Sequence, residues 1–471
     1  LSPVRAEIRK MLALGLPVAG TQVSTMLLLV VDAVMVGHVS VHAMAAAALA
    51  NVWIWATFMF AQGVLMGLDP IVSQAHGAQD GERAGRALHA GVAVALGLSL
   101  ALGCLWLATE RVMLLTGQDP ELSRMAHLYT LVQIPSIPFF LVYTALRQYL
   151  QGREYMRPAL FVIAGANVLN LLFAWALIFG HLGFPALGLV GAGIAACLTR
   201  VASGVGLVAL VAGFGLHHGA WVPVSRASFR GLRELVAYGL PVAIQVSLEA
   251  WAFSGASLLV GHLGAEALAA HTIAINLASL SFMMPLGIAQ GAATRVGNLL
   301  GAREAAAAQR AAWVSLALGA GVMGLAAVAF VVGREALPRL YTPDAAVVAA
   351  CAAIMPIAAA FQIFDGTQVV GCGILRGMGR VRPATAFNLI GYWLLGLPIG
   401  GWLALRGGYG LPGLWWGLAL GLAVVATSLL AFVALRGPGA FPLGDIPHRA
   451  AVAGGSAENL RRLEREEGPA A

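Results

Sequence analysis

The sequence predicts an all-α polytopic membrane protein, with twelve transmembrane helices in two parallel-repeat six-helix lobes. Three observations carry that expectation. Of 471 residues, 59% are hydrophobic and only 10% are charged, where soluble domains carry roughly 25% charged residues. The apolar residues fall into long runs separated by short arginine-bearing segments. The second half of the chain repeats landmarks of the first. A surface so poor in charge cannot face water, which excludes a soluble enzyme of this length, and the chain is far too apolar to be disordered.

A membrane-spanning helix needs about 20 apolar residues. Runs of that kind cover 12–36, 44–68, 87–109, 125–146, 158–179, 187–213, 234–260, 267–292, 311–333, 346–372, 384–404 and 411–435. The connections 37–43, 180–186 and 261–266 hold no lysine or arginine. With the N-terminus in the cytoplasm, 23 of the 28 lysines and arginines fall on the cytoplasmic side. Arg111, Arg124, Arg334, Arg339 and Arg406 fall on the other. This positive-inside asymmetry places both termini in the cytoplasm and requires an even number of spans. In this count Arg200 belongs to the cytoplasmic set, and no cation lies in the middle of a span. The net charge of +7 is therefore topological and thinly spread, which argues against a nucleic-acid partner. The first eleven residues are too polar and too short for a cleavable signal sequence. Cys104, Cys197, Cys351 and Cys372 lie in apolar runs without metal-ligand spacing and read as buried thiols.

The repeat has a fixed register. Gly15-Leu16-Pro17-Val18-Ala19 returns as Gly239-Leu240-Pro241-Val242-Ala243, and Val36-Gly37-His38 as Val260-Gly261-His262, both at an offset of 224. Gly77-Ala78 with Arg86 returns as Gly301-Ala302 with Arg310 at the same offset, and Arg157-Pro158-Ala159 returns as Arg382-Pro383-Ala384 at 225. Six spans per half is an even number, so the halves run in the same direction and are related by an axis along the membrane normal. The expected division is an N-lobe at 1–213, a cytoplasmic linker at 214–233 with His217, His218, Pro223 and Ser225, a C-lobe at 234–436, and a cytoplasmic tail at 437–471. Two similar bundles around a shared cavity are the architecture of alternating access.

Charge within the spans points to the chemistry. Asp32, Glu249 and Asp365 lie deep in apolar runs, whereas Asp69 falls at a span end and reads as interfacial. A mid-membrane acid costs roughly 2.5–3.5 kcal/mol on insertion scales. Such acids are either satisfied by hydrogen bonds in a packed interior or exposed to a watery cavity where they hold a cation. The register favours the cavity. Position 249 matches Thr25, and Asp32 lies seven residues beyond Thr25. Seven residues is nearly two turns, with only about 20° of rotation, so Asp32 and Glu249 project from equivalent faces of equivalent helices. Asp32 matches Ala256 and Asp365 matches Phe140, so each half carries acids of its own.

Amides accompany these acids. Gln362, Asp365 and Gln368 form a stripe on the tenth span. Asn167 and Asn170 share a face of the fifth, and Thr272, Asn276 and Ser279 a face of the eighth. Each is either an interhelical hydrogen bond or part of a cavity wall. Pro17 and Pro241 lie inside their spans and should kink or loosen them. Trp251 and Met283-Met284-Pro285 suit ordinary packing better than a drug surface, and His271 reads as interfacial rather than as a proton site. Gly188, Gly191 and Gly193 mark close helix packing. The chain has no GKS or GKT phosphate loop, which argues against ATP coupling, and no nucleophile–base pair or metal cluster that would mark an enzyme.

Several local stretches have a familiar pattern: GLPV followed by VDAVMVGH in the first span, SQAHGA after the second, LQGREYMRP after the fourth, then SLEAWAF and FQIFDGTQVVGCGILRGMGRVRP in the second half. Over about residues 8–436 the chain resembles the multidrug and toxic compound extrusion (MATE) family, in its NorM-like branch. That resemblance implies efflux of cationic, amphipathic drugs and dyes in exchange for Na⁺ or H⁺, without a cofactor, by a monomer in the lipid bilayer. It implies that Glu249 and Asp365 are the second-lobe cation-coupling acids, able to hold Na⁺, and that Asp32 is the first-lobe acid with Asn167 as its partner. Asp32, Glu249, Asp365, Asn170, Gln362, Gln368 and Asn276 are the expected substrate-binding set. The chain departs from the family at Phe361, where members of this branch often carry tyrosine, and at Leu171 and Ala174, which fill candidate ligand positions. A lipid-linked oligosaccharide flippase of the same superfamily would need embedded arginines, and a non-transporting scaffold would leave three unpaired acids without a role.

Overall fold

The computed structural model describes residues 3–216 and 228–442. The expected linker residues His217, His218, Pro223 and Ser225, and the tail from 443 onward, lie outside the described residues. Among the described residues the chain is helical throughout, without a strand. Twelve helical segments are long and apolar enough to cross a membrane.

In the first lobe the spans are Pro3–Gly37, the broken pair Val41–Leu65 and Leu68–Gly77, Gly81–Leu107, the broken pair Pro120–Leu131 and Ile137–Gly152, Arg157–Phe179 and Gly188–Gly213. In the second they are Ser228–Gly261, Ala265–Gly301, Ala305–Val332, Ala345–Gly377, the run Val381–Asn388 continued by Leu389–Gly396 and Leu397–Leu405, and Gly410–Arg436. Side-chain caps start several of them. Ser40, Asp80, Asp119 and Asp344 each accept from backbone N–H groups of the first turn, which would otherwise be orphaned. Pro17 and Pro241 sit inside continuous helices. A hydroxyl bonds each proline's own carbonyl, Thr21 to Pro17 at 3.0 Å and Thr385 to Pro241 at 2.9 Å. The eleventh span is the irregular one: its centre, Leu389–Gly396, is a π-helix.

The lobes meet along a self-complementary seam. A methyl group on Gly77 would lie 1.9 Å from the Asn298 carbonyl oxygen, and one on Gly301 would lie 2.1 Å from that of Gln74. Gly63 abuts Ala243 as Gly287 abuts Ala19, and Gly67 abuts Gly239 as Gly291 abuts Gly15. Every member of each pair maps onto the other pair by the offset of 224. A two-fold interface must pair surfaces in this reciprocal way. Glycine is required there because backbone touches backbone.

All of these contacts lie in the half of each helix nearer the N-terminal side of the bundle. Polar links across the seam cluster there too. Arg376 Nε pairs with Asp69 Oδ2 at 2.9 Å, Arg295 Nε with Glu7 at 2.8 Å, and Arg83 with Glu234 at 2.7 Å. Gln74 donates to the Gly377 carbonyl at 3.1 Å and Asn298 to Glu154 at 2.9 Å. The hydrophobic cores follow the same division. The outer half of the second lobe has its own core, built from residues such as Ala252, Phe361, Tyr392 and Trp415. The half on the N-terminal side has another, which Met11 of the first lobe joins. The lobes are therefore fastened together at one face, and among the described residues no polar link fastens them at the opposite one.

Three sequence expectations change here. Asp69 is not interfacial; it is 1% exposed and paired across the seam. His271 is buried inside the second lobe, against Ser257 at 3.1 Å and edge-on to Trp415. Of the four free thiols only Cys351 and Cys372 are buried, while Cys104 is exposed on its helix and Cys197 is partly so. Periodicity locates a helix but does not say which of its faces a neighbour covers.

Candidate functional site

Two polar groups occupy the interiors of the two lobes. In the first, Asp32 is buried near the far end of the opening helix. Asn170 Nδ2 donates to its Oδ1 at 2.6 Å. Thr199 Oγ1 donates to Asn170 Oδ1 at 3.0 Å, so the carboxylate, the amide and the hydroxyl form a chain through the first, fifth and sixth spans. Asn167 takes no part in it. It donates instead to the Ser24 carbonyl at 2.9 Å. The first-lobe partner is thus Asn170, one turn beyond the residue that the family resemblance named. Two residues three apart on one helix face are indistinguishable by periodicity, and the depth of the facing acid decides between them.

Arg200 is the second correction. It is not at a cytoplasmic end but midway along the 26-residue helix Gly188–Gly213. Its guanidinium donates to Gln133 Oε1 at 2.7 Å and lies over the rings of Phe58 and Phe140, at 5.2 and 5.7 Å from their centroids. Tyr129, buried alongside, accepts from Gln133 Nε2 at its backbone carbonyl at 2.9 Å. Asp32 and Arg200 attract each other, yet no ion pair within 4 Å joins them. An embedded cation therefore does exist near one of the three acids. Its position inside the predicted span 187–213 was the signal that could have revealed it.

In the second lobe, Glu249 and Asp365 approach closely enough to feel each other's charge. Glu249 is partly accessible and Asp365 is 5% exposed. Gln368 Nε2 donates to Glu249 Oε2 at 3.3 Å and to Asn388 Oδ1 at 3.1 Å. Tyr392, fully buried on the π-helical segment, lies within electrostatic reach of both acids. Its hydroxyl has no hydrogen-bond partner, and neither has Gln368 Oε1. π-Helical turns often occur at functional sites because they reorient side chains. Here the turn carries a phenol on the eleventh span within reach of the acids, while the tenth span has Phe361 where the family resemblance implies a tyrosine. Phe361 packs edge-on against Phe253, and Phe253 against Tyr392.

The remaining expected residues divide. Gln362 is drawn away to Ser281 Oγ at 2.5 Å, so the tenth-span stripe is split between two neighbours. Asn276 is exposed on the eighth helix, and no described hydrogen bond ties it to either acid group. Asn388 and Tyr392 were missed although the sequence carries a signal for them: Thr385, Asn388 and Tyr392 recur at i, i+3 and i+7 along the eleventh span. Among the described residues no cluster of three or more His, Cys, Asp or Glu forms a metal site. A hard cation accepts neutral oxygens as well as carboxylates. The two carboxylates supply the charge of this group, and the Tyr392 phenol and the Gln368 amide oxygen are its oxygens without a hydrogen-bond partner.

The fold and both polar groups can now be set beside known proteins. The chain matches the MatE family model over residues 17–176 and again over 241–402, with starting points 224 residues apart. It is 35% identical to the multidrug resistance protein NorM of Burkholderia vietnamiensis, over 88% of this chain and 90% of that one. In structure it is similar to the eukaryotic MATE transporter AtDTX14, with a TM-score of 0.85 at 24% identity, covering 93% of this chain and 98% of that one. It is also similar to a multidrug resistance MATE family transporter in an outward-facing conformation, with a TM-score of 0.82 at 17% identity, covering 91% and 96%. A duplicated twelve-span bundle, two family matches in register and close similarity along nearly the whole of a curated relative place this chain in the MATE transporter family, in its NorM-like branch.

Proposed function

We propose that the protein is a secondary active multidrug efflux transporter. It exports cationic, amphipathic compounds in exchange for Na⁺ or H⁺, from a bacterial cytoplasmic membrane with both termini inside. The observation that carries this reading is the pair Glu249 and Asp365, within reach of each other's charge inside a membrane-spanning lobe, with the neutral Gln368 amide bonded to Glu249. Among the described residues no arginine or lysine offsets that charge in the second lobe. Two carboxylates in such surroundings repel each other and favour a positive guest. A drug cation and a coupling ion then compete for the same charge. Binding of the ion neutralises the site, loosens the drug and allows its release. The membrane potential favours inward ion movement by roughly 2.3 kcal/mol per charge per 100 mV.

The seam supports the alternating-access part of the proposal. The lobes are fastened on the N-terminal side; with that side taken as cytoplasmic, the proposal reads the bundle as outward-open, and turning inward requires the Asp69–Arg376 pair and the glycine contacts to part. The flippase alternative draws little support from Arg200. One arginine with a carboxylate nearby is not a cradle for a pyrophosphate.

The test is dye efflux from reconstituted vesicles with Na⁺ and pH gradients imposed separately. The expected result is uphill dye movement under at least one gradient by the wild type, and none by a Glu249→Gln/Asp365→Asn double variant that elutes as the wild type does. Full efflux by the double variant would overturn the reading.

A further inference from the structure

Arg200 is a charged group of the first lobe's interior to which the exchange mechanism gives no part. A cation at mid-span costs as much as an acid does, so it calls for a partner. The structure gives it a partial one. Gln133 engages the fork at a single oxygen, and Phe58 and Phe140 hold its face. Asp32 stays beyond ion-pair distance, held by Asn170 at 2.6 Å. The side chain remains partly accessible. A guanidinium carries five N–H donors in a rigid fork that matches a carboxylate at two points. Most of that capacity is free.

Depth adds a second observation. Arg200 lies 13 residues from the end of its helix at Gly213, and Asp365 lies 12 residues from the end of its helix at Gly377. Both ends lie on the same side of the bundle, so the two groups sit at similar depths, about 18–20 Å in. The interior thus offers negative charge in one lobe and an incompletely paired positive charge in the other.

We infer that Arg200 is a specificity-determining residue that receives the carboxylate of a zwitterionic amphiphile, whose ammonium end is taken by the Glu249–Asp365 pair. The inference rests on the efflux reading above and narrows its substrate class. It assigns Asp32 the role of an internal rival for Arg200, one whose competition ends when a proton or coupling cation neutralises it.

A matched pair of probes separates the two claims. Rhodamine 6G is a cationic ester, and its de-esterified free acid is a zwitterion of nearly the same shape. Binding of each to the full chain in detergent is read by fluorescence anisotropy, and export of each from vesicles by dye efflux. The wild type is expected to bind and export both. Arg200→Gln should weaken free-acid binding at least tenfold, about 1.4 kcal/mol, while changing ester binding less than twofold. Arg200→Lys, which keeps the charge and loses the fork, should fall between them. An unchanged ratio of acid to ester affinity in either variant, or an equal loss of both, overturns the inference and leaves the efflux reading standing. Failure of the wild type to export the ester under any gradient sinks the efflux reading instead. If Arg200→Gln does not fold, the ratio measured with Arg200→Lys decides.

Discussion

The two lobes share a backbone plan and differ in how they handle buried charge. In the first, Asp32 has a hydrogen-bond chain through Asn170 to Thr199, and a guanidinium close by. In the second, Glu249 and Asp365 lie within reach of each other's charge with amides and a phenol nearby, and among the described residues no arginine or lysine pairs with them. Duplication supplied the scaffold, and each copy then acquired its own electrostatics. The seam shows the opposite behaviour. There Gly77 with Asn298 and Gly301 with Gln74 remain strict counterparts. Backbone packing tolerates little change, whereas an interior that binds guests can diverge.

The largest effect should come from the charge difference. Glu249→Gln with Asp365→Asn is expected to reduce dye efflux to background. Asp32→Asn should leave a measurable fraction, because Arg200 already offsets that charge. Equal loss from both changes, measured in the same vesicles, would erase the distinction between the lobes.

Next comes the seam. Asp69→Leu leaves Arg376 buried without its partner, and removal of one member of such a pair costs about 3–5 kcal/mol. Asp69→Leu with Arg376→Met should recover most of that loss. Thermal unfolding in detergent reads both. A single variant as stable as the wild type would show that the pair does not hold the lobes together.

The reciprocal glycines provide a finer check. Gly77→Ala and Gly301→Ala should each destabilise the fastened state by about 1–3 kcal/mol, because the added methyl meets a carbonyl oxygen rather than a mobile side chain. Similar losses support the two-fold seam, and a large inequality breaks it.

Tyr392→Phe separates stability from function. The change removes a buried hydroxyl that has no partner, so stability should hold or rise by up to about 1 kcal/mol. Ion-stimulated efflux should nevertheless fall several-fold if the phenol oxygen serves the acids. Unchanged ion dependence would remove Tyr392 from the site. The smallest effect belongs to the surface. Lys10→Ala breaks a 3.7 Å pair with Glu154 between partly exposed groups, leaves Glu154 its bond from Asn298, and should change unfolding by less than about 1 kcal/mol.

Much of the fold could be read from the sequence. Apolar run length, the spacing of arginines and the recurrence of GLPVA gave twelve helices in two parallel halves, because lipid admits few alternatives. The acids were legible for the same reason: Glu249 and Asp365 stand out in an apolar run. Their surroundings were less so. Asn167 and Asn170 share a helix face, and only the packed structure shows that Asn170 reaches Asp32. Tyr392 reaches the acids through a π-turn that no residue pattern announced. Asp69 looked interfacial until Arg376, some 300 positions later, came to rest beside it.

What the sequence determined by itself was which side chains must leave lipid, since burial of backbone and charge in hydrocarbon leaves so few solutions. Which partners those side chains found was decided by tertiary structure alone. Hydrogen bonds and ion pairs depend on ångström-scale distances between helices far apart in the chain, and no local pattern encodes those distances.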